Sequence, residues 1–277
     1  LALMEGPDLT IRRLSMKAFG DSLKGAAPSP KAEAVLQGRL QDKDPGVRRA
    51  AVYALARVPD EKVASSMMAL AGDPDPEIRE AAVVAANRSQ DPKAADLLVK
   101  ALSDESDRVK IAALDGVAAR RIKSARDTLQ MMNRYQDVNV RQRAVKAYLA
   151  LLDPGEAVTE FDNLSGLLYD SDAGIKLAVL DVVKQVHERR AIVAISGLVI
   201  DRDQNVKLAA LAALAATGEK DALEGIEKAV FDNDKVVRLA ALDRLGELGR
   251  KEALDFLNEL LRLEGDAEVK AKAEAVQ

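Results

Sequence analysis

The feature that most constrains this chain is a pattern, D-x-D-x-x-[VI]-[RK]-x-A-A, that returns along its whole length. Its apolar anchor falls at Ile11, Val47, Ile78, Val109, Val140, Ile175, Val206, Val237 and Val269. The successive intervals are 36, 31, 31, 31, 35, 31, 31 and 32 residues. Self-similarity at such a period marks stacked supersecondary units, none of which can bury its apolar face alone. Residues 1–277 therefore read as one elongated array rather than as separate globular domains.

The unit anchored at Val47 shows how each repeat is built. Asp44 stands where a side-chain oxygen can cap a helix, and Pro45 follows where a missing N–H costs nothing. Apolar residues then fall at Val47, Ala50, Ala51, Ala54 and Leu55, the i, i+3, i+4, i+7, i+8 stripe of an amphipathic helix. The Ala pair keeps that face thin, so that neighbouring helices can approach closely. Turns such as Pro59-Asp60, Asp91-Pro92, Asp153-Pro154-Gly155 and Gly218 lead into a second helix. Its buried column is expected at Leu36, Met67, Leu98, Leu129, Leu164, Ile195, Ile226 and Leu257. The core must be built from small and branched aliphatic residues, because aromatics make up 3% and Trp is absent.

These residues resemble the HEAT-like repeat family, in the short bacterial form found in phycobilisome-lyase-type proteins. The matching elements are the Asp before the first helix, the [VI]-[RK] step and the Ala-Ala pair, and they cover essentially the whole chain. The resemblance implies an all-α fold, a right-handed α-α superhelix (a HEAT-like solenoid) of about eight helix pairs. It also implies first helices on the convex side and second helices on the concave side. Leu1–Asp8 reads like the tail of a second helix, and Val269–Gln277 like a first helix without a partner. The expectation is an excerpt of a longer array, with open ends suited to end-to-end packing.

A charged ladder accompanies the anchors. Asp stands three residues before the anchor at Asp8, Asp44, Asp75, Asp137, Asp172, Asp203, Asp234 and Asp266. A base follows every anchor, and a second Asp lies five residues before it at Asp42, Asp73, Asp104, Asp170, Asp201 and Asp232. Paired carboxylates could serve acid–base or cation chemistry, but machinery of that kind occurs once, whereas this pattern occurs in every unit. The ladder reads as capping and inter-repeat bonding.

Enzyme readings find little purchase. The absence of Cys excludes thiolate metal sites and cysteine nucleophiles. Deoxyhypusine hydroxylase, a helical-repeat enzyme, holds two irons with several His-Glu pairs; this chain has one such pair, His187-Glu188, and no other His. His187 reads as structural or solvent-facing. Repeat-type DNA glycosylases would need aromatic stacking platforms, and a bilin-lyase-like role, the most distant alternative, would need a tetrapyrrole pocket. No enzyme activity, metal or cofactor is expected. No apolar run reaches the length of a membrane span, and a cytoplasmic location is the default.

Two departures from the repeat stand out. Residues 109–150 carry nine bases and three acids, a net +6, in a chain whose total is −4. Arg120, Arg121, Lys123, Arg126 and Arg134 are candidates there, with Tyr135 standing where other units carry Asp. Such a window could take an acidic peptide, a phosphate group or nucleic-acid backbone. The other departure is apolar: Met68, Val99 and Met131 on second helices, and Tyr169, Ile200 and Phe231 at helix ends. A groove-facing track of this kind would suit a helix or extended peptide, although Ile200 and Phe231 are expected in the inter-repeat core. The function expected is a non-enzymatic protein–protein interaction scaffold binding a partner on its concave face. The alternative is a phosphate- or nucleic-acid-backbone-binding module using residues 109–150.

Overall fold

The computed structural model describes the chain apart from residues 24, 25, 59, 154, 187 and 249–252 and the side chains of residues 253 and 255. The turn residues 59 and 154 and the single histidine, His187, thus lie outside the described residues. Every regular element among the described residues is helical. The helices fall into two units, Leu1–Leu151 and Leu152–Gln277.

The first unit comprises α1 (Ala2–Glu5), α2 (Leu9–Leu23), α3 (Pro30–Gly38), α4 (Pro45–Leu55), α5 (Glu61–Met68), α6 (Pro76–Arg88), α7 (Lys93–Ala101), α8 (Asp107–Arg120), α9 (Arg126–Met132) and α10 (Val138–Leu151). Helices α2, α4, α6, α8 and α10 carry the anchors and pack one on the next, while α3, α5, α7 and α9 are the second helices that pack against them. The second unit comprises α11 (Glu156–Thr159), α12 (Phe161–Ser165), α13 (Ala173–Val183), α14 (Arg189–Ser196), α15 (Gln204–Thr217), α16 (Asp221–Ala229), α17 (Lys235–Leu248), α18 (Ala253–Leu263) and α19 (Ala267–Val276). Here α13, α15, α17 and α19 carry the anchors, and α12, α14, α16 and α18 are the second helices. Each unit is an all-α, solenoid-type stack.

Local chemistry explains where the first helices begin. All eight Asp residues three before an anchor accept backbone N–H groups of the first helical turn, as Asp44 does from Val47 at 2.8 Å and Asp137 from Asn139 at 2.9 Å. Such caps satisfy donors that a helix N-terminus otherwise leaves orphaned. Pro45 and Pro76 occupy first-turn positions where proline's fixed φ suits the helix.

The core follows the repeat. Eight of the nine anchors are buried, and so is every member of the second-helix column from Leu36 to Leu257. Ile11 is the exception at 46% exposure. The second Ala of each pair, as in Ala51, Ala82, Ala113, Ala210 and Ala241, is fully buried between helices. Gly20 allows one such close approach: a Cβ there would lie 2.8 Å from the Cα of Ala54, so α2 rests directly on the backbone of α4. The 35-residue interval is taken up by Gly155, at φ +90°, and by the separate turn of α11 ahead of α12.

Candidate interaction surfaces

The paired carboxylates are tied into the framework. Arg48 Nε and Nη2 donate to Asp73 Oδ2 and Oδ1 at 2.8 and 2.9 Å, and Arg79 makes the same bidentate pair with Asp104 at 2.8 and 2.9 Å. Lys176–Asp201 and Lys207–Asp232, both at 2.6 Å, and Arg238–Glu264 at 2.9 Å repeat the rung in the second unit. Each joins the base after one anchor to the carboxylate before the next. The same arginines donate to turn carbonyls of their own repeat, as Arg79 does to Asp73 O and Pro74 O. The inner carboxylate then accepts the N–H of the capping Asp two residues on, for example Asp75 N to Asp73. Arg79's hydrogen bonds hold Asp104 below the usual carboxylate range against the opposing effect of burial. For Asp73, burial acts upward most strongly, yet the Arg48 hydrogen bond, the Asp75 N–H and the nearby guanidinium charges outweigh it. These groups are saturated acceptors rather than poised acids or bases. No group of three His, Asp or Glu side chains is placed to hold a metal ion among the described residues.

Tyr135 interrupts the ladder and partly replaces its rung. Its hydroxyl donates to Asp107 Oδ1 at 2.8 Å, and Lys110 Nζ lies 5.2 Å from its ring centroid and 3.1 Å from Asp107. The buried Lys110 is held charged by this pair, despite burial acting the other way.

Part of the basic window serves helix ends and turns. Arg120 donates to Ala86 O at 2.8 Å and Ser89 O at 2.7 Å, closing the C-terminus of α6. Arg121, in left-handed conformation at φ +50°, donates to Ala150 O and Leu151 O at the end of α10. Arg141 donates to Tyr135 O and Gln136 O, and Arg143 pairs with Asp115. A guanidinium at a helix C-terminus satisfies orphan carbonyls and favours the dipole, which gives a structural reason for the excess of bases. Lys123 and Arg134 are exposed, and Arg126 is half-buried at the start of α9.

The apolar candidates divide. Met68 is buried at 7% exposure and faces the core, so it adds nothing to a surface; Val99 is half-buried, and Met131 is 72% exposed. In the second unit Tyr169 and Ile200 are 69% and 70% exposed, and Phe231 is 45% exposed. The expectation that Ile200 and Phe231 enter the core is overturned. Their helices end in a short turn, Gly197–Ile200 after α14 being one example, that buries the two preceding residues and turns the third outward. Phe231 makes an edge-to-face contact with Phe256 at 5.2 Å, which accounts for its lower exposure.

Three stretches, residues 1–85, 32–118 and 193–277, match the family described as HEAT repeats. The chain belongs to the HEAT-repeat family. The match is to HEAT repeats as such and carries no subtype. No curated protein matches the sequence. Among solved structures, this HEAT-repeat chain is similar to an engineered protein (TM-score 0.59, 18% identity, covering 99% of this chain and 86% of the other). It is also similar to YibA of Escherichia coli (TM-score 0.58, 16% identity, covering 94% and 95%). At these identities the likeness speaks for the HEAT-repeat fold alone. Within that fold Tyr169, Ile200 and Phe231 are equivalent residues, 31 positions apart, each five beyond the buried column. The first unit carries Gln41, Gly72, Ser103 and Arg134 at the same register. The signal was therefore present in the sequence as a register comparison; a search for hydrophobic character alone could not separate these residues from core.

Proposed function

We propose that this HEAT-repeat chain is a non-enzymatic protein-interaction scaffold that receives a segment of a partner protein along its second-helix, concave face. The observation that carries the reading is the exposed column Tyr169, Ile200 and Phe231, in one register of three consecutive repeats. Exposed large apolar residues in line are costly to leave in water and mark docking surfaces. Adjacent packed helices lie about 8–10 Å apart. That step matches every third residue of an extended chain rising about 3.3 Å per residue, or every seventh residue of an α-helix at about 1.5 Å. The engagement of the ladder carboxylates supports a role without chemistry. The use of Arg120, Arg121, Arg141 and Arg143 within the fold favours a protein partner over a phosphate backbone on residues 109–150.

The test compares capture of partners by the intact chain and by a Tyr169→Ala, Ile200→Ala, Phe231→Ala variant. The variant is expected to keep its far-ultraviolet circular dichroism and to lose a specific protein partner. Equal capture by both chains, or recovery of nucleic acid alone in a salt-sensitive manner, would overturn the reading.

A further inference from the structure

The first unit contains a cleft of about 630 Å³ between α4 and α6, well away in sequence from the column of the second unit and independent of it. Its origin is local. Gly20 draws α4 onto α2, and α4 touches α6 over much less of its length than α2 touches α4 or α6 touches α8. Small side chains, Ala56, Ala64, Ala81 and Ala85, stand among the larger apolar residues of its lining. The two helices are instead held together at their ends, by Arg49 to the capping Asp75 and by Arg88 Nη1 to Ala56 O at 3.0 Å.

The two ends differ in how their arginines are paired. At the α6 N-terminal end, Arg49 pairs with Asp75 and Glu77, and Arg108 pairs with Glu77 and Glu80 at 3.5 and 2.8 Å, so each arginine there has carboxylate partners. At the other end Arg88 has no carboxylate within ion-pair distance among the described residues, and Arg57 has only Asp21 at 3.7 Å. The acids lining that end are already engaged. Asp60 accepts the N–H groups of Lys62 and Val63, and Glu61 accepts the Ser89 hydroxyl and the Gln90 N–H. The ring of Tyr53 is covered by the Arg57 guanidinium at 3.6 Å, and among the described residues no other aromatic side chain lines the walls.

We propose that the α4–α6 cleft binds a small aliphatic amphiphile with a single carboxylate head, of the chemical class of a medium-chain fatty acid. Its volume lies in the range of pockets that hold small molecules, roughly 300–1,000 Å³. The aliphatic tail fills the space between the alanines, where it displaces water from apolar walls. The carboxylate meets Arg88 and Arg57, whose planar N–H forks suit a carboxylate. The aliphatic walls and the occupied Tyr53 face select a chain over a ring system.

The experiment is calorimetric titration of the full chain with decanoate below its micelle concentration, and with decyltrimethylammonium, which has the same tail and the opposite charge. Saturable one-to-one binding of decanoate is expected, with the cationic amphiphile at least about tenfold weaker. Arg88→Gln should weaken decanoate by about tenfold, the loss of one charge-assisted contact. Val84→Trp, which fills the cleft, should abolish binding; if it disturbs folding, Ala81→Leu serves the same purpose with a smaller side chain. No saturable binding, equal affinity for both amphiphiles, or unchanged binding in a folded filled variant would each overturn the proposal.

Discussion

Replacing Arg79 by Gln isolates one rung of the ladder at the junction of α6 and α8. The change removes two charge-assisted hydrogen bonds to Asp104 and the contacts to Asp73 O and Pro74 O, which lie at 2.9 and 3.1 Å. Both partners are mostly covered, at 15% and 13% side-chain exposure, so solvent screening discounts the pair little. Hydrogen bonds to charged groups contribute about 1.5–3 kcal/mol each, and releasing the arginine side chain returns about 2 kcal/mol of rotamer entropy. The net loss expected is about 2–3 kcal/mol, because Asp104 is left without its counter-charge. The control is Arg108→Gln, which breaks pairs to Glu77 and Glu80 on a side chain 63% exposed and should cost about 0.5 kcal/mol or less. Urea unfolding gives both values, and hydrogen exchange locates the loss, which should concentrate in α6 and α8 because repeat stability is a nearest-neighbour property. Adding Asp104→Asn to the Arg79→Gln chain should cost little more, since the two residues act as one unit. If Arg79→Gln proves no worse than Arg108→Gln, the ladder does not bind the repeats together and the reasoning fails.

Further outcomes follow from the same contacts. Tyr135→Asp should keep stability within about 1 kcal/mol, because an Asp can take Lys110 as Asp201 takes Lys176, whereas Tyr135→Ala should cost about 1–2 kcal/mol in the same unfolding assay. Gly20→Ala forces a Cβ against the α4 backbone and should destabilise by about 1–3 kcal/mol, with protection lost in α2 and α4. The inner carboxylates, Asp73, Asp104, Asp201 and Asp232 among them, have pKa values below their unfolded range. Their stabilisation is therefore present above the ordinary carboxylate value of about 4 and is lost as pH falls through the depressed folded values. Glu227 runs the opposite way: burial, then the charge of Glu224, raises its pKa, so its ionised form is disfavoured in the folded chain. Glu227→Gln should raise the melting temperature at pH 7, by an amount that shrinks as the pH is lowered toward the range where Glu227 itself protonates.

Much of the fold is legible because it depends on local rules applied nine times. An Asp followed two or three residues later by a free N–H caps a helix whatever surrounds it, and all eight such residues do so. The buried column from Leu36 to Leu257 follows from the phase of each second helix, which the repeat keeps. What escapes the sequence is set by distances between helices or by the way a helix ends. Ile200 and Phe231 look like core until the short terminal turn swings them outward, and Met68 looks like surface until α5 packs it inward. Arg120 and Arg121 read as a basic patch because no local rule shows that carbonyls of α6 and α10 lie within their reach. The α4–α6 cleft arises from Gly20 setting the spacing of α2 and α4, and a one-dimensional pattern of alanines does not reveal which of several helix junctions will stay open.

The most direct test of the interaction reading places a photo-crosslinking residue at position 200 and, separately, at position 243 on the first helix α17, where Asp243 is exposed. Each chain is illuminated with its captured partner. Efficient crosslinking from position 200, weak crosslinking from position 243, and loss of the former in a Tyr169→Ala, Phe231→Ala background are the results the account predicts. Crosslinking from position 243 without any from position 200 would contradict it.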